Sequence, residues 1–290
     1  MSNITKNSEI LFIYDAKLSN PNGDMDNENK PRMDYDTDTN LVSDVRLKRY
    51  IRDYYEKALN KEIFVTENAK DAKDRGSKLK KDKLEHKDLI DCKLFGAVFA
   101  ESGGNDHYTG PLQFNWGYSL NPVEINETST ITSSFSSGEG IGKDFRVKYS
   151  LIAFSGGINA KTAENVELAD EDVTLFDKVI INAIPFNRTR SKIGQTPRLY
   201  VRVELLDNKT VLKDLREYLS LDYNVDNSYN VRGPNDYALN INKLIKYLEE
   251  NNSLIGKIYL WADDSFQKIF DSIKSSFDSK VDEINPKIKG

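Results

Sequence analysis

Residues 9–18 constrain the fold of this 290-residue chain more than any other segment. A two-residue period predicts a β-strand there, because successive side chains of a strand point to opposite faces. One face is apolar throughout, with Ile10, Phe12, Tyr14, Ala16 and Leu18. The other face also begins apolar, with Leu11 and Ile13, before it turns polar. Since both faces begin apolar, we expect this strand to lie in the centre of a sheet.

Five further periodic segments before residue 207 continue the same unit. They are a helix that Ser43 can cap, strands at 112–120 and 147–153, a helix at 170–184 and a strand at 198–206. The complete order is strand, helix, strand, strand, helix, strand. This order predicts an α+β fold of the ferredoxin-like type that RNA-recognition domains share.

The C-terminal quarter follows this unit, and we expect it to back the sheet or to make subunit contacts. Its predicted elements are helices at 212–219, 237–250 and 263–281 and a short strand at 256–260. Two earlier segments resemble insertions rather than core. Residues 69–87 are dominated by Lys, Asp and Arg, and residues 128–143 are rich in Ser, Thr and Gly, which predicts a flexible arm.

Composition favours a soluble protein of the cytoplasm without membrane contact. No apolar run approaches the ~20 residues of a membrane span, and residues 1–7 lack the features of a signal peptide. The single cysteine, Cys92, excludes an internal disulfide. A net charge of −5 at pH 7 argues against a uniformly basic surface. The net charge does not exclude local basic patches, because salt screens each charge beyond ~8–10 Å.

Basic side chains gather in two places. The helix after Ser43 carries Arg46, Lys48 and Arg49, and the unpaired amides of a first helical turn can bind phosphate oxygens. A capped amphipathic helix with ordinary surface charges is the alternative. Residues 187–194 also form a basic loop without an acidic residue. Both places are candidates for contacts with a nucleic-acid backbone.

The last predicted strand offers a third candidate surface. Arg198, Tyr200 and Arg202 fall on one of its faces and combine an aromatic ring with positive charge. Single-stranded nucleic acids are bound by that combination. An exposed strand with ordinary surface arginines explains the same pattern equally well.

Motifs of enzymes, metal sites and cofactor sites do not stand out. His86, His107 and Cys92 lack the spacing of metal ligands, and we expect no cofactor. Asp24 and Asp26 could in principle gather a divalent cation for RNA cleavage. The sequence singles out no distant carboxylate or histidine to complete such a centre, so catalysis is the less favoured hypothesis.

Several short motifs occur in one order along the chain. They are Asn20-Pro21-Asn22-Gly23-Asp24, Pro31-Arg32, Leu41-Val42-Ser43-Asp44-Val45-Arg46-Leu47-Lys48-Arg49, Lys93-Leu94-Phe95-Gly96, Thr109-Gly110-Pro111-Leu112-Gln113-Phe114 and Thr189-Arg190-Ser191-Lys192-Ile193-Gly194. Together they resemble the backbone subunit of type I CRISPR Cascade complexes. The resemblance is closest to the type I-B group of the "Cas seven" family, within the RAMP superfamily.

The resemblance implies a hand-like subunit. Its RRM-like palm would comprise residues 1–60 and 108–210, with a helical finger region inserted at 61–107 and a thumb hairpin or arm at 124–148. Residues 211–290 would form a helical extension that packs on the palm. Copies would stack head to tail along one guide crRNA, beside other Cascade subunits, and would present its bases to target DNA in antiviral defence.

The resemblance also implies which residues hold the guide. The expected RNA contacts are Asn22, Ser43, Arg46, Lys48, Arg49, Lys143, Arg146, Arg188, Arg190, Ser191 and Lys192. Ile131 and Phe135 are candidate thumb wedges that displace a base, although either could simply anchor the arm. Related RAMP subunits cleave RNA with an aspartate in the loop after the first strand. The alternatives are therefore a metal-dependent ribonuclease that uses Asp24 or Asp26, and a structural partner that contacts only proteins.

Overall fold

The computed structural model describes residues 3–101, 104–126, 130–132 and 141–288. Its helices are α1 (Asp44–Lys57), α2 (Ala72–Asp82), α3 (Ile90–Phe95), α4 (Ala160–Glu164), α5 (Asp170–Phe186), α6 (Asn242–Glu250) and α7 (Gln267–Phe277). Its strands are β1 (Ser8–Ser19), β2 (Gly23–Asp24), β3 (Lys30–Pro31), β4 (Met33–Asp34), β5 (Thr39–Val42), β6 (Gly96–Glu101), β7 (Gly104–Thr109), β8 (Leu112–Phe114), β9 (Gly117–Ser119), β10 (Thr130–Thr132), β11 (Ile141–Lys143), β12 (Val147–Ile158), β13 (Gln195–Leu205), β14 (Ser220–Tyr223), β15 (Tyr237–Asn240), β16 (Ile255–Ala262) and β17 (Val281–Glu283).

One large mixed sheet organises this α+β fold. Its strands follow the order β17-β16-β13-β1-β12-β9-β5-β4, and β8 pairs with β12 beside β9. β1 lies between β12 and β13 and is antiparallel to both, which confirms that residues 9–18 form a central strand. β17 joins β16 in parallel.

The alternation of side chains along β1 divides the core between the two faces of the sheet. Phe12 and Tyr14 belong to a cluster with residues of α1 and α5, including Tyr50 and Phe176. Leu11 and Ile13 belong to a second cluster with the C-terminal segment. Complete burial of one large apolar side chain contributes about 1.5–3 kcal/mol, so a strand that is apolar on both faces is stable only when both are covered.

The C-terminal segment contains more strand than the sequence analysis predicted. The helix predicted at 212–219 is wrong, since only a 3₁₀ turn forms at Leu215–Tyr218. The helix predicted at 237–250 begins only at Asn242, because Tyr237 and Leu239 alternate inward from β15, which pairs with β14. The strand predicted at 256–260 is confirmed as part of β16, and α7 lies within the helix predicted at 263–281.

The proposed stacking surface on the last strand of the predicted unit is wrong. Tyr200 is fully buried, and Arg202 is 3% exposed beneath α5. Asp177 of α5 accepts hydrogen bonds from Nε and Nη2 of Arg202, at 2.9 and 2.6 Å, and from the Tyr200 hydroxyl at 2.6 Å. Arg198 is bound to Asp15. The arginines therefore serve the interior, because α5 supplies a carboxylate that compensates one of them.

The remaining segments branch from the sheet. Residues 61–109 contain α2, α3 and the hairpin of β6 and β7. In the Ser/Thr/Gly-rich segment, β10 pairs with β11. The division into palm, finger, thumb and C-terminal extension stays a prediction. Within the described residues, none of the helices combines the length and apolar character needed to span a bilayer.

Candidate nucleic-acid interface

Asn22 joins the loop after β1 to the start of α1. Its Oδ1 accepts hydrogen bonds from the Ser43 backbone N–H at 2.8 Å and from the Ser43 hydroxyl at 2.9 Å. Ser43 Oγ in turn accepts a hydrogen bond from the Arg46 backbone N–H at 3.3 Å, which confirms the predicted cap. The two predicted site residues thus fix the polar loop against the positive end of the helix dipole.

The basic loop at 187–194 reaches the same corner. The Asn20 N–H donates to the Ser191 carbonyl at 2.8 Å, and the Lys17 N–H donates to the Gly194 carbonyl at 2.7 Å. Gly194 has φ +98°, and a Cβ there would lie 2.3 Å from the Lys17 carbonyl oxygen. Only glycine suits this close approach. The loop is therefore held against the end of β1 by its backbone.

Two cations meet where these loops adjoin α1, and we call Arg46 and Lys192 the cation pair. Lys192 Nζ donates to the carbonyl oxygens of Asn20 and Pro21. The Arg46 guanidinium lies 3.9 Å from the centroid of the Tyr50 ring. Burial lowers the pKa of Lys192 to about 7, and the charge of Arg46 contributes to the decrease.

The cation pair lacks a compensating carboxylate among the residues that the structure describes. Arg46 Nε is buried and has no hydrogen-bond partner in this part of the chain, and the same is true of the Tyr14 hydroxyl and of Asn20 Oδ1. A buried polar group without a partner costs about 1–3 kcal/mol. The corner therefore suits an anionic, hydrogen-bonding ligand, and a phosphate group has that chemistry.

The other two basic residues of α1 are already paired. Lys48 Nζ lies 3.0 Å from a carboxylate oxygen of Asp44 and 2.8 Å from Gln113 Oε1. Arg49 Nη2 lies 2.8 Å from carboxylate oxygens of both Asp53 and Glu67. Their predicted phosphate contacts stay predictions, and each would compete with an existing ion pair.

Predicted residues near the arm form what we call the arm-base cluster: Lys143, Arg146 and Arg190 with the carboxylates of Glu28 and Asp144. Arg146 Nη2 and Arg190 Nη2 each lie 2.8 Å from Asp144 Oδ2, and Lys143 pairs with Glu28. Arg146 Nη1 also donates to the Leu18 carbonyl at 2.9 Å. The cluster lies beside the end of β1, as the cation pair does.

The remaining predicted residues occupy different settings. Arg188 is exposed, and Ser191 is half-buried, with its backbone carbonyl bonded to Asn20. Ile131 lies opposite Gly142 in the hairpin of β10 and β11, where its Cγ1 would be 3.4 Å from a Cβ at that glycine. Phe135 lies outside the described residues. The roles of Ile131 and Phe135 as wedges stay predictions.

The aromatic and amide lining of the site was not among the predicted site residues. Tyr14 and Tyr50 lie beside Arg46, and the Tyr50 hydroxyl donates to Gln195 Oε1 at 3.2 Å. Burial raises the pKa of Tyr14 well above its ordinary value, and Tyr50 adds to the increase. Both tyrosines fall on apolar stripes, so periodicity assigns them to the core. Only their hydroxyl groups, which valine and leucine lack, distinguish these tyrosines from ordinary core residues in the sequence.

Asp24 and Asp26, the alternative catalytic residues, do not form a metal-binding centre in the described part of the chain. Asp24 Oδ1 lies 3.2 Å from Arg32 Nη2, and Asp26 is exposed in a 3₁₀ turn. Within the described ranges, no three His, Cys, Asp or Glu side chains form a group that could hold a metal ion. Asp24 has a basic partner instead.

Comparison with known proteins places this fold and site in a family. The family model for CRISPR-associated protein Cas7 matches residues 6–242. The chain is 33% identical to CRISPR-associated protein Cas7 of Haloferax volcanii, an alignment that covers 88% of this chain and 86% of the relative.

Solved structures with the same overall fold are more distant in sequence. A chain of a CRISPR RNA-guided surveillance complex is 16% identical, with a TM-score of 0.54 over 93% of this chain and 100% of that one. A chain of a surveillance complex described as pre-nicking is 14% identical, with a TM-score of 0.53 over the same shares. The sequence matches span most of the chain, and this protein therefore belongs to the Cas7 family of CRISPR-associated proteins.

Proposed function

We propose that this protein is the backbone subunit of a type I-B Cascade complex and holds guide RNA by its phosphates and sugars. Several copies line one guide head to tail beside other Cascade subunits. The bases then remain free to pair with target DNA. The subunit acts in the cytoplasm and catalyses no reaction itself.

The observation that carries this proposal is the cation pair. Arg46 and Lys192 are brought to one corner by elements almost 150 residues apart in sequence, and the described residues supply no carboxylate to balance them. The positive end of α1 adds to the same electrostatic potential. Membership of the Cas7 family suggests which anion binds there, since the distant structural neighbours are chains of RNA-guided complexes.

The site is suited to RNA without sequence preference. Contacts to phosphate and sugar fix the register of a strand but read no bases. Arg46 and Lys192 provide charge, and the Ser43 hydroxyl, bound to Asn22, stands at the helix start for a phosphate or 2′-hydroxyl. Such contacts suit a subunit that must accept every guide equally.

The arrangement of the sheet supports a ferredoxin-like palm. Taking the predicted elements in chain order, their strands are β1, β8 with β9, β12 and β13. In space they follow the order β13-β1-β12-β9, with α1 and α5 against one face. That is the spatial order expected of a βαββαβ unit with antiparallel neighbours. In this proposal the hairpin of β10 and β11 forms the base of the thumb.

A ribonuclease centred on Asp24 or Asp26 is not favoured, because Asp24 is paired with Arg32. Purified protein incubated with guide-complementary RNA and magnesium separates the two hypotheses. We expect no cleavage. Cleavage that is lost in Asp24→Ala or Asp26→Ala would replace the scaffold by an enzyme.

Nucleic acid in the purified complex tests the proposal directly. RNA extraction and sequencing should recover guides whose spacers differ, because the contacts lie on the backbone. Fluorescence anisotropy with unrelated labelled single strands should give similar affinities. A complex that contains no RNA, together with absent binding in the anisotropy assay, would favour a partner that contacts only proteins.

A further inference from the structure

We propose that Trp116 and Arg32 form a platform on which one nucleobase of the bound RNA stacks. The inference rests on the proposed function and assigns a second kind of contact beside the phosphate site. Neither residue was a candidate for RNA contact in the sequence analysis. We call the two side chains the stacking platform.

The backbone holds Trp116 at a fixed corner between β8 and β9. Its N–H donates to Asn115 Oδ1 at 2.8 Å, and its carbonyl accepts a hydrogen bond from Arg216 Nη1 at 2.7 Å. The next residue, Gly117, packs so tightly that a Cβ would lie 2.5 Å from the Phe154 ring. Trp116 is nevertheless 43% exposed. A large apolar ring is thus displayed by a rigid backbone rather than by a loose loop.

Arg32 places a cation beside this ring. The centre of its guanidinium lies 6.0 Å from the indole centroid, at the outer limit of a cation–π contact. Asp24 Oδ1 binds Arg32 Nη2 at 3.2 Å and so restricts the guanidinium. This gives Asp24 a positioning role in place of the catalytic one considered from the sequence.

The platform is connected to the phosphate site by the backbone. The Arg32 N–H donates to the Asn22 carbonyl at 3.0 Å, and the side chain of Asn22 holds Ser43 at the start of α1. One residue, Asn22, therefore bridges the two places. A strand whose phosphate is bound at the cation pair would reach the stacking platform by following this loop.

A nucleobase is the occupant that this chemistry favours. An exposed aromatic ring beside an arginine offers stacking to any base, because every base has a π-face. Such contacts are sequence-tolerant, which is consistent with a guide of arbitrary spacer. A neighbouring protein copy is the competing occupant, and tryptophan fluorescence distinguishes it from RNA.

Tryptophan fluorescence can report on the platform directly, because the chain has only two tryptophans, Trp116 and Trp261. Trp261 lies in β16, opposite Tyr200 of β13. In Trp261→Phe, single-stranded RNA of unrelated sequences should quench the remaining indole as binding proceeds. The matched variant Trp116→Phe should bind RNA with little change in the fluorescence of Trp261. Anisotropy of labelled RNA measures binding independently in both variants.

The possible results separate this inference from the proposed function. RNA binding without quenching in Trp261→Phe would overturn the platform and leave the scaffold intact. Absence of RNA binding in the wild-type protein would overturn the scaffold itself. Quenching that depends on protein concentration and not on RNA would identify a second copy as the occupant, and it would also overturn the platform.

Affinity gives a second readout. One stacked base contributes about 1–3 kcal/mol, so Trp116→Ala should weaken RNA binding between about 5-fold and about 150-fold. Trp116→Tyr should retain most of the affinity because it keeps a ring. The salt dependence should stay unchanged in both, since no phosphate contact is removed. Equal affinity of the Ala variant and the wild type would refute the platform.

Discussion

The cation pair and the arm-base cluster are both basic, lie at the end of β1, and differ in how their charge is balanced. Arg46 and Lys192 have carbonyl and aromatic neighbours, and no carboxylate partner in the described part of the chain. Arg146 and Arg190 share the carboxylate of Asp144 at 2.8 Å each. The basic side chains are therefore available to bind an anion at the cation pair, whereas carboxylates neutralise them at the arm-base cluster.

This difference predicts two different responses to RNA. At the cation pair, a phosphate relieves repulsion and satisfies a buried donor, so the full interaction contributes to affinity. At the arm-base cluster, a phosphate must share or replace an existing carboxylate, and the net gain is smaller. Counting basic residues along the sequence cannot separate these cases, because the count does not show which carboxylates contact them. Asp144 pairs both with Arg146, two residues away, and with Arg190, which is distant in sequence.

Removal of the cation pair should have the largest effect on RNA binding. Hydrogen bonds to charged groups contribute about 1.5–3 kcal/mol each, so Arg46→Ala with Lys192→Ala should weaken binding at least about a hundredfold. The slope of log K against log salt should fall by about 1.4, or 0.7 for each phosphate contact on a single strand. Anisotropy titrations at several salt concentrations measure both quantities.

The matched control for that variant removes two cations elsewhere. Lys243 and Lys268 are exposed on α6 and α7, on the face of the sheet that the C-terminal segment covers. Lys243→Ala with Lys268→Ala also removes two basic side chains and should leave affinity and slope almost unchanged. Equal losses in the two double variants would show that total charge, and not the cation pair, governs binding.

The pH dependence of binding should be the next largest effect. Because burial lowers the pKa of Lys192 to about 7, the amine is charged below this pH and loses its charge as the pH rises. At pH 8, one unit above this pKa, only about a tenth of the amine is protonated. Affinity should therefore fall by up to about tenfold between pH 6 and pH 8. Lys192→Arg should show a flatter profile, since guanidinium stays charged. Parallel profiles would contradict the assignment.

The same shift has a consequence for stability with a definite sign. In the unfolded chain the lysine keeps an ordinary pKa near 10.4, so the unfolded state binds more protons between about pH 7 and pH 10. Stability should therefore rise with pH through this window. Below pH 7 the cost of burying the charge is fully present, and urea denaturation of Lys192→Met against the wild type should show its greatest relative stabilisation there.

Neutralising Asp144 should make the arm-base cluster resemble the cation pair, because its arginines would lose their carboxylate partner. Burial alone would raise the pKa of Asp144, but Arg146 and Arg190 keep it below its ordinary value, so the carboxylate is ionised at neutral pH. Asp144→Asn preserves the shape and frees two guanidinium groups. We expect about a fivefold gain in RNA affinity, the upper range of a partly exposed ion pair, and a steeper salt slope.

The opposite outcome for Asp144→Asn would also be informative. If affinity falls, Asp144 orients the arginines more than it competes with RNA, and the contrast between the two regions narrows. Asp144→Ala distinguishes a loss caused by charge from one caused by shape, because it removes the hydrogen-bonding group as well.

Residue spacing within single segments was enough to predict several elements of the fold. The central strand, the Ser43 cap and the two long helices of the predicted unit all follow from spacing within one segment. The Arg198, Tyr200 and Arg202 surface failed because strand alternation assigns a face but not what covers it. Asp177, which binds two of these side chains, is more than 20 residues away in sequence.

The residues of the candidate site could be predicted from the sequence, but the ion pairs of its basic side chains could not. Asn22, Ser43, Arg46 and Lys192 do meet, as the ordered motifs suggested. Asp144 and Glu67 were not foreseen as partners of basic residues. Asp144 reaches Arg190, and Glu67 reaches Arg49, only through the tertiary fold, whereas Asp144 and Arg146 are two residues apart in sequence. The β15 strand was missed for a related reason, since its short alternation is defined by pairing with β14.

The smallest effect on RNA binding should come from Lys48→Ala with Arg49→Ala. The side chains of Lys48 and Arg49 are 11% and 21% exposed and are held by carboxylates, so little free charge is lost with them. Affinity should change by less than about twofold, with the salt slope constant, while urea denaturation should show a loss of about 1–2 kcal/mol from broken pairs. A slope that falls by about 1.4 would instead place two guide phosphates on these residues, and RNA binding would then be able to displace Asp44, Asp53 and Glu67. That result would erase the distinction between paired and unpaired cations on which the comparison of the two regions depends.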